Sequence, residues 1–198
     1  MEPFIVHEGV AVPLRMSSVD TDQIIPSRYL KGVGRSGFAE GLFAAWKTSG
    51  DFVMNEPSYA DATILVAGVD FGIGSSREAA VWALQGNGFR AVIAPRFGDI
   101  FRTNAAKSGL LAVELSEPVV ERLWDYLDAH PGASVTVDLD RCVVLAGDDI
   151  EEKFSVDSYV RFQLLHGLDE ISTTLTSLDE IEAFESRRPE IKPRVTSL

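Results

Sequence analysis

Residues 63 to 78 read Thr63-Ile64-Leu65-Val66-Ala67-Gly68-Val69-Asp70-Phe71-Gly72-Ile73-Gly74-Ser75-Ser76-Arg77-Glu78, an apolar run that breaks into a glycine-punctuated turn ending in two serines, a guanidinium and a carboxylate. Good helix formers follow in Ala79-Ala80-Val81-Trp82-Ala83-Leu84, and a second short apolar run arrives at Arg90-Ala91-Val92-Ile93-Ala94. Strand, helix and strand in that order predict a right-handed crossover unit, and with it a parallel sheet. The same reading puts Ser75 at a helix N-terminus, where N–H groups are unpaired and a partial positive charge gathers.

The turn has two readings at the level of its residues. Ser75-x-x-Glu78 matches a capping box, which is a purely structural role. Arg77 favours a second role, because a cation at the positive end of a helix is unfavourable unless a negative group, such as a substrate carboxylate, offsets it. A dinucleotide site fits poorly, since Arg77 stands where the third glycine of G-x-G-x-x-G belongs. A serine-hydrolase elbow also fits poorly: neither serine is centred in G-x-S-x-G, and no histidine lies in an obvious base position.

Upstream, Phe4 to Val12 alternates as an opening strand or hairpin and is followed by a polar turn over 17 to 22. Residues 29 to 41 hold four glycines and two cations, which reads as a mobile loop before a short helix around Leu42 to Trp46. Downstream, a helix over 97 to 108 closes at Gly109 and a strand covers 110 to 115. Glu117 to Ala129 is a helix whose stripe of Val120, Leu123, Trp124 and Leu127 reads as core. Strands at 134 to 138 and 141 to 146 form a hairpin, with Cys142 as a small buried hydrophobe in the second. Helices follow at 157 to 167, 169 to 175 and 178 to 186. The tail Arg187 to Arg194, with two prolines and four basic residues, reads as an extended terminus or partner contact.

The chain has 198 residues, 45% of them hydrophobic, enough for one globular domain over 1–198 with a helical extension from about 155. Its net charge of -12 disfavours nucleic acid and anionic lipid as partners. No leader pattern or bilayer-length apolar run is present, which predicts a cytoplasmic protein. One cysteine and three scattered histidines cannot build an iron-sulfur or Cys-rich metal site from this chain, so any such group must come from elsewhere.

Several segments together resemble a known family. Gly68 to Glu78 is similar to the G-x-[DN]-[FY]-G-x-G-S-S-R-E signature of the aconitase-superfamily swivelling domain. Asp20-Thr21-Asp22-Gln23-Ile24-Ile25-Pro26 resembles the D-T-D-Q-I-I-P segment of 3-isopropylmalate dehydratase small subunits. Phe97 to Leu111 resembles their F-x-D-I-F-x-x-N-x-x-K-x-G-L-L segment, and Tyr29 to Phe38 their substrate-recognition loop. The resemblance covers nearly the whole chain.

It implies an α/β swivelling domain of three β/β/α layers with a mixed or parallel sheet. It also implies a hydro-lyase that interconverts 2- and 3-isopropylmalate together with a large subunit carrying a 4Fe-4S cluster. By the same resemblance Ser75 is the catalytic base and Asp22 orients an acid/base group of the partner. Ser76 and Arg77 bind substrate, as do Tyr29, Leu30, Lys31 and Arg35 of the loop. A small subunit acting on citraconate, methylmalate or homoaconitate, or a non-catalytic partner module of the same fold, is the alternative. Relatives often have histidine where this chain has Ala79, and the loop varies at Lys31-Gly32-Val33-Gly34. The second departure bears on substrate choice.

Overall fold

The computed structural model describes residues 1–30, 37–75 and 77–188. Strand β1 (Val6–Leu14) does two jobs along its length. Its first half, Val6 to Val10, pairs antiparallel with β5, while Ala11 to Leu14 pairs parallel with β2. One strand thereby joins two kinds of sheet.

After β1 come a four-residue helix, α1 (Thr21–Ile24), and then β2 (Ile64–Ala67), α2 (Glu78–Gly86), β3 (Ala91–Ala94), α3 (Asp99–Ser108) and β4 (Leu111–Glu114). Helix α4 (Glu117–Ala129) leads to β5 (Ser134–Asp138), β6 (Val143–Ala146) and β7 (Ile150–Lys153). Helices α5 (Ser158–His166), α6 (Glu170–Leu175) and α7 (Leu178–Ser186) complete the described chain. The strands form one mixed sheet in the order β4-β3-β2-β1-β5-β6-β7, parallel from β4 to β1 and antiparallel from β1 to β7.

The apolar residues of β2 and β3 divide between two cores, as side chains alternating across a strand require. Leu65, Ala67, Val92 and Ala94 pack with α2, α3 and a group of aromatics that includes Phe43, Phe71 and Phe101. Ile64, Val66, Ala91 and Ile93 face the other way, against α4 and the inward side of β5 to β7. One face of the parallel strands thus carries α2 and α3, and the other carries α4 together with apolar residues of the antiparallel strands. The predicted α4 stripe is core: Val120, Leu123 and Leu127 are fully buried, and the Trp124 indole donates to Val66 O at 2.8 Å.

Four local expectations change. Residues 42 to 46 form turns rather than a helix, because Phe43 takes φ 48°, a left-handed value that interrupts helical geometry. The polar turn over 17 to 22 contains the start of α1. Cys142 precedes β6 in the β5–β6 turn with φ 53°, half-buried, its thiol against Leu139 O at 3.3 Å. Strand β7, with three charged residues of four, has no counterpart in the pattern reading.

Candidate active site

Three parallel strands deliver their carboxyl ends to one place. The segments leaving β1, β2 and β3 continue side by side, through single bridges between Asp20 and Ile73 and between Phe71 and Phe97. In open α/β sheets, ligand sites gather at this edge. Backbone bonds hold the joint: Ser18 N donates to Val69 O at 2.7 Å, Gly72 N to Val19 O at 2.8 Å, and Thr21 N to Ile73 O at 3.0 Å.

The glycines of the turn answer to space and to backbone angle. Gly72 has φ 76°, and a Cβ there would lie 2.3 Å from the Phe101 ring. Gly98 leaves room for Gly72 O, which a Cβ would approach to 2.4 Å. Asp70 also takes a positive φ, 64°, and its carboxylate accepts from Arg96 Nε at 2.5 Å and Nη2 at 2.7 Å. That bidentate pair holds the Asp70 carboxyl below the usual carboxylate range.

Ser75 does not cap α2. The helix starts at Glu78, and its N-cap is Arg77, in extended conformation and without a side-chain capping hydrogen bond of its own. The capping box sits instead on α1, where Asp20 accepts from Gln23 N at 2.7 Å and Gln23 Oε1 accepts from Asp20 N at 2.8 Å. Freed from capping, Ser75 is exposed at the end of the turn, with Thr21 beneath it: Thr21 Oγ1 donates to Ser75 O at 2.9 Å and lies 3.4 Å from Ser75 Oγ.

The negative partner that Arg77 requires is Asp22. Nη1 of Arg77 forms an ion pair with Asp22 Oδ1. The guanidinium is mostly buried, at 22% exposure, while the carboxylate remains 55% exposed and open to a further contact. The structure therefore brings Ser75, Arg77 and Asp22 together.

Tyr29 and Leu30 lie in and just after a 3-10 turn (Ser27–Tyr29), half-buried against the α2-side core, with Arg28 stacked 5.0 Å over the Tyr29 ring. Ser76, Lys31 and Arg35, and with them most of the loop expected to be mobile, lie outside the described residues. Thr21 and the Asp70–Arg96 pair are additions that the sequence reading lacks. The first had a signal, since Asp20-x-x-Gln23 before two isoleucines is itself a capping pattern.

Two cavities of about 560 and 510 Å³ lie elsewhere, the first among α3, β4 and α5, the second between α4 and the β6–β7 turn. None of Ser75, Arg77, Asp22, Tyr29 or Leu30 lines either. Among the described residues, no three His, Cys, Asp or Glu side chains group to hold a metal ion.

The aconitase C-terminal domain family model matches residues 1–118, and a second, described as LeuD_N, matches 121–158. The 3-isopropylmalate dehydratase small subunit of Acidothermus cellulolyticus is 60% identical over 98% of this chain and 98% of its own length. That of a Nocardioides species is 56% identical, over 98% and 97%. The chain belongs to the 3-isopropylmalate dehydratase small-subunit family, within the aconitase superfamily. A member of that family from Methanocaldococcus jannaschii, solved by crystallography, superposes with a TM-score of 0.67 at 27% identity, covering 91% of this chain and 99% of that one. The mixed α/β fold expected from the sequence is thus the fold of the small-subunit family.

Proposed function

We propose that this chain is the small subunit of a 3-isopropylmalate dehydratase, a hydro-lyase of leucine biosynthesis that acts with a large subunit in the cytoplasm. The observation that carries the reading is the grouping of exposed Ser75 with Arg77 and Asp22 on an open surface at the carboxyl edge of the parallel strands. An open half-site fits a reaction completed by a second subunit. No helix among the described residues is long and apolar enough to cross a membrane.

Ser75 Oγ, as the alkoxide, takes the proton from the carbon beside a substrate carboxylate. The C–H electron pair then forms the C=C bond as the neighbouring hydroxyl departs with its own pair. Rehydration runs the same steps backwards, with water adding at the other carbon. Arg77 holds a substrate carboxylate through the donors of its fork that Asp22 leaves free, and Ser76 adds a hydrogen bond. Asp22, exposed beyond that pair, orients an acid/base group of the large subunit.

A 4Fe-4S cluster needs cysteine thiolates that one Cys142 cannot supply, and the exposed polar edge fits a cluster presented by the partner. When bound there, the cluster supplies the Lewis acid that accepts the leaving hydroxyl. Lys31 and Arg35, with Tyr29 and Leu30, border the substrate and set its side-chain preference.

Reconstitution tests the proposal. The purified chain alone should show no turnover, and the complex with a cluster-bearing large subunit should convert isopropylmalate faster than citraconate, methylmalate or homoaconitate. Turnover by the isolated chain, or preference for another diacid, overturns the reading at the level of mechanism or of substrate respectively.

A further inference from the structure

Thr21 is a buried polar residue, 2% exposed, directly beneath exposed Ser75. Its one hydroxyl stands near two oxygens of the same residue, 2.9 Å from Ser75 O and 3.4 Å from Ser75 Oγ. A hydroxyl has one proton to donate and two lone pairs that accept. While Ser75 is protonated, Thr21 donates to the Ser75 carbonyl and can accept from Ser75 Oγ–H. Once Ser75 is ionised, Oγ becomes the stronger acceptor, and rotation about the Thr21 C–O bond turns the donor onto it. The backbone need not move, because Thr21 N is anchored to Ile73 O at 3.0 Å and the capping box fixes α1.

We propose that Thr21 is a positioning residue for Ser75, a switchable donor that orients the hydroxyl and stabilises its ionised form. The inference rests on the reading of Ser75 as the base. No proton leaves Thr21. The substrate's proton passes to Ser75 Oγ, the C–H pair stays with the substrate, and the Thr21 donor swings back to Ser75 O. The donor stays within reach of the atom that carries negative charge, and its hydrogen bond raises the fraction of Ser75 in the ionised form that takes the proton.

The test is kinetic, on complexes with the large subunit. Thr21→Val keeps the side-chain shape and removes the hydroxyl. It should lower kcat by about 10- to 100-fold, at or below the low end of what losing one oxyanion donor costs, since Thr21 is one donor at a longer distance. KM should change by less than about twofold, and the acid limb of the kcat–pH profile should move up by about one pH unit or more. Thr21→Ser should restore both the rate and the limb. If Thr21→Val does not assemble, Thr21→Ala against Thr21→Ser makes the same comparison. A hydroxyl-free variant with parental kcat and an unmoved limb overturns the inference, and so does a rate loss that Thr21→Ser leaves uncorrected. Ser75→Ala, run beside them, separates the two claims: if it kills turnover while Thr21→Val does not, only the Thr21 inference falls, and if it spares turnover, the reading of Ser75 falls with it.

Discussion

Arg77 and Asp22 form an ion pair across the joint between the glycine turn and α1, with the guanidinium mostly buried and the carboxylate largely exposed. The pair keeps Arg77 compensated in the absence of substrate and holds its fork in one orientation. On the proposed reading of Arg77, a substrate carboxylate meets a positioned cation rather than a mobile one.

Substitutions on the two sides of this pair should separate in kinetics. Arg77→Lys replaces a planar fork with a point charge, so KM should rise by about tenfold, the value of one charged hydrogen bond, with a smaller change in kcat. Asp22→Asn should instead lower kcat, by about a hundredfold if it misplaces the partner's acid/base group, and raise KM less than Arg77→Lys does, since the amide oxygen can still accept from the guanidinium. Steady-state kinetics on the reconstituted complex check both, and the reverse pattern contradicts the assignment.

Stability should respond at Asp20 and not at Ser75. Asp20→Ala removes a capping bond and should cost about 1 kcal/mol. Ser75→Ala removes no cap from α2, and its effect should stay within about 0.5 kcal/mol. Urea unfolding of the isolated chain, with unchanged m, measures both. An order in which Ser75→Ala is the costlier change contradicts the placement of the caps.

The Asp70–Arg96 pair predicts a particular acid response. Arg96 depresses the Asp70 carboxyl below its ordinary 3.8 in the folded chain, so on acidification the unfolded chain takes up this proton first. The pair's contribution is therefore complete above the ordinary value and is lost as pH falls through the depressed one. Asp70→Asn, which tolerates the left-handed φ, should be less stable than the parent at about pH 6, and the gap should narrow below about pH 4. Urea midpoints at the two pH values decide it, and a gap that widens in acid contradicts the linkage.

Gly72→Ala tests the turn itself. A left-handed φ and a Cβ driven into Phe101 should together cost about 2 to 4 kcal/mol. A midpoint within error of the parent contradicts the packing at this glycine.

Legibility in the sequence followed the physics of each element. Helix Glu117–Ala129 and strand Ser134–Asp138 could be read to the residue, because apolar spacing and an N-terminal proline mark the one and alternation between turns marks the other. Strand β7 could not: only Ile150 of its four residues is buried, and pairing with β6 rather than pattern makes it a strand. At 42 to 46 the apolar spacing misled, since one left-handed residue, Phe43, breaks the helix that composition favours. The site divides in the same way. Ser75 and Arg77 stood out because glycines, hydroxyls and a guanidinium crowd into one turn. Thr21 and Ser75, 54 positions apart, meet only because β1 and β2 run parallel and end together, a relationship that no local window contains.

The account turns on Ser75 Oγ, and the direct measurement is turnover of isopropylmalate by Ser75→Ala assembled with a cluster-loaded large subunit. The variant should assemble as the parent does and lose kcat by about a thousandfold or more, because it lacks the hydroxyl proposed as the base. A complex of normal composition with near-parental kcat would contradict the assignment of Ser75 as the base.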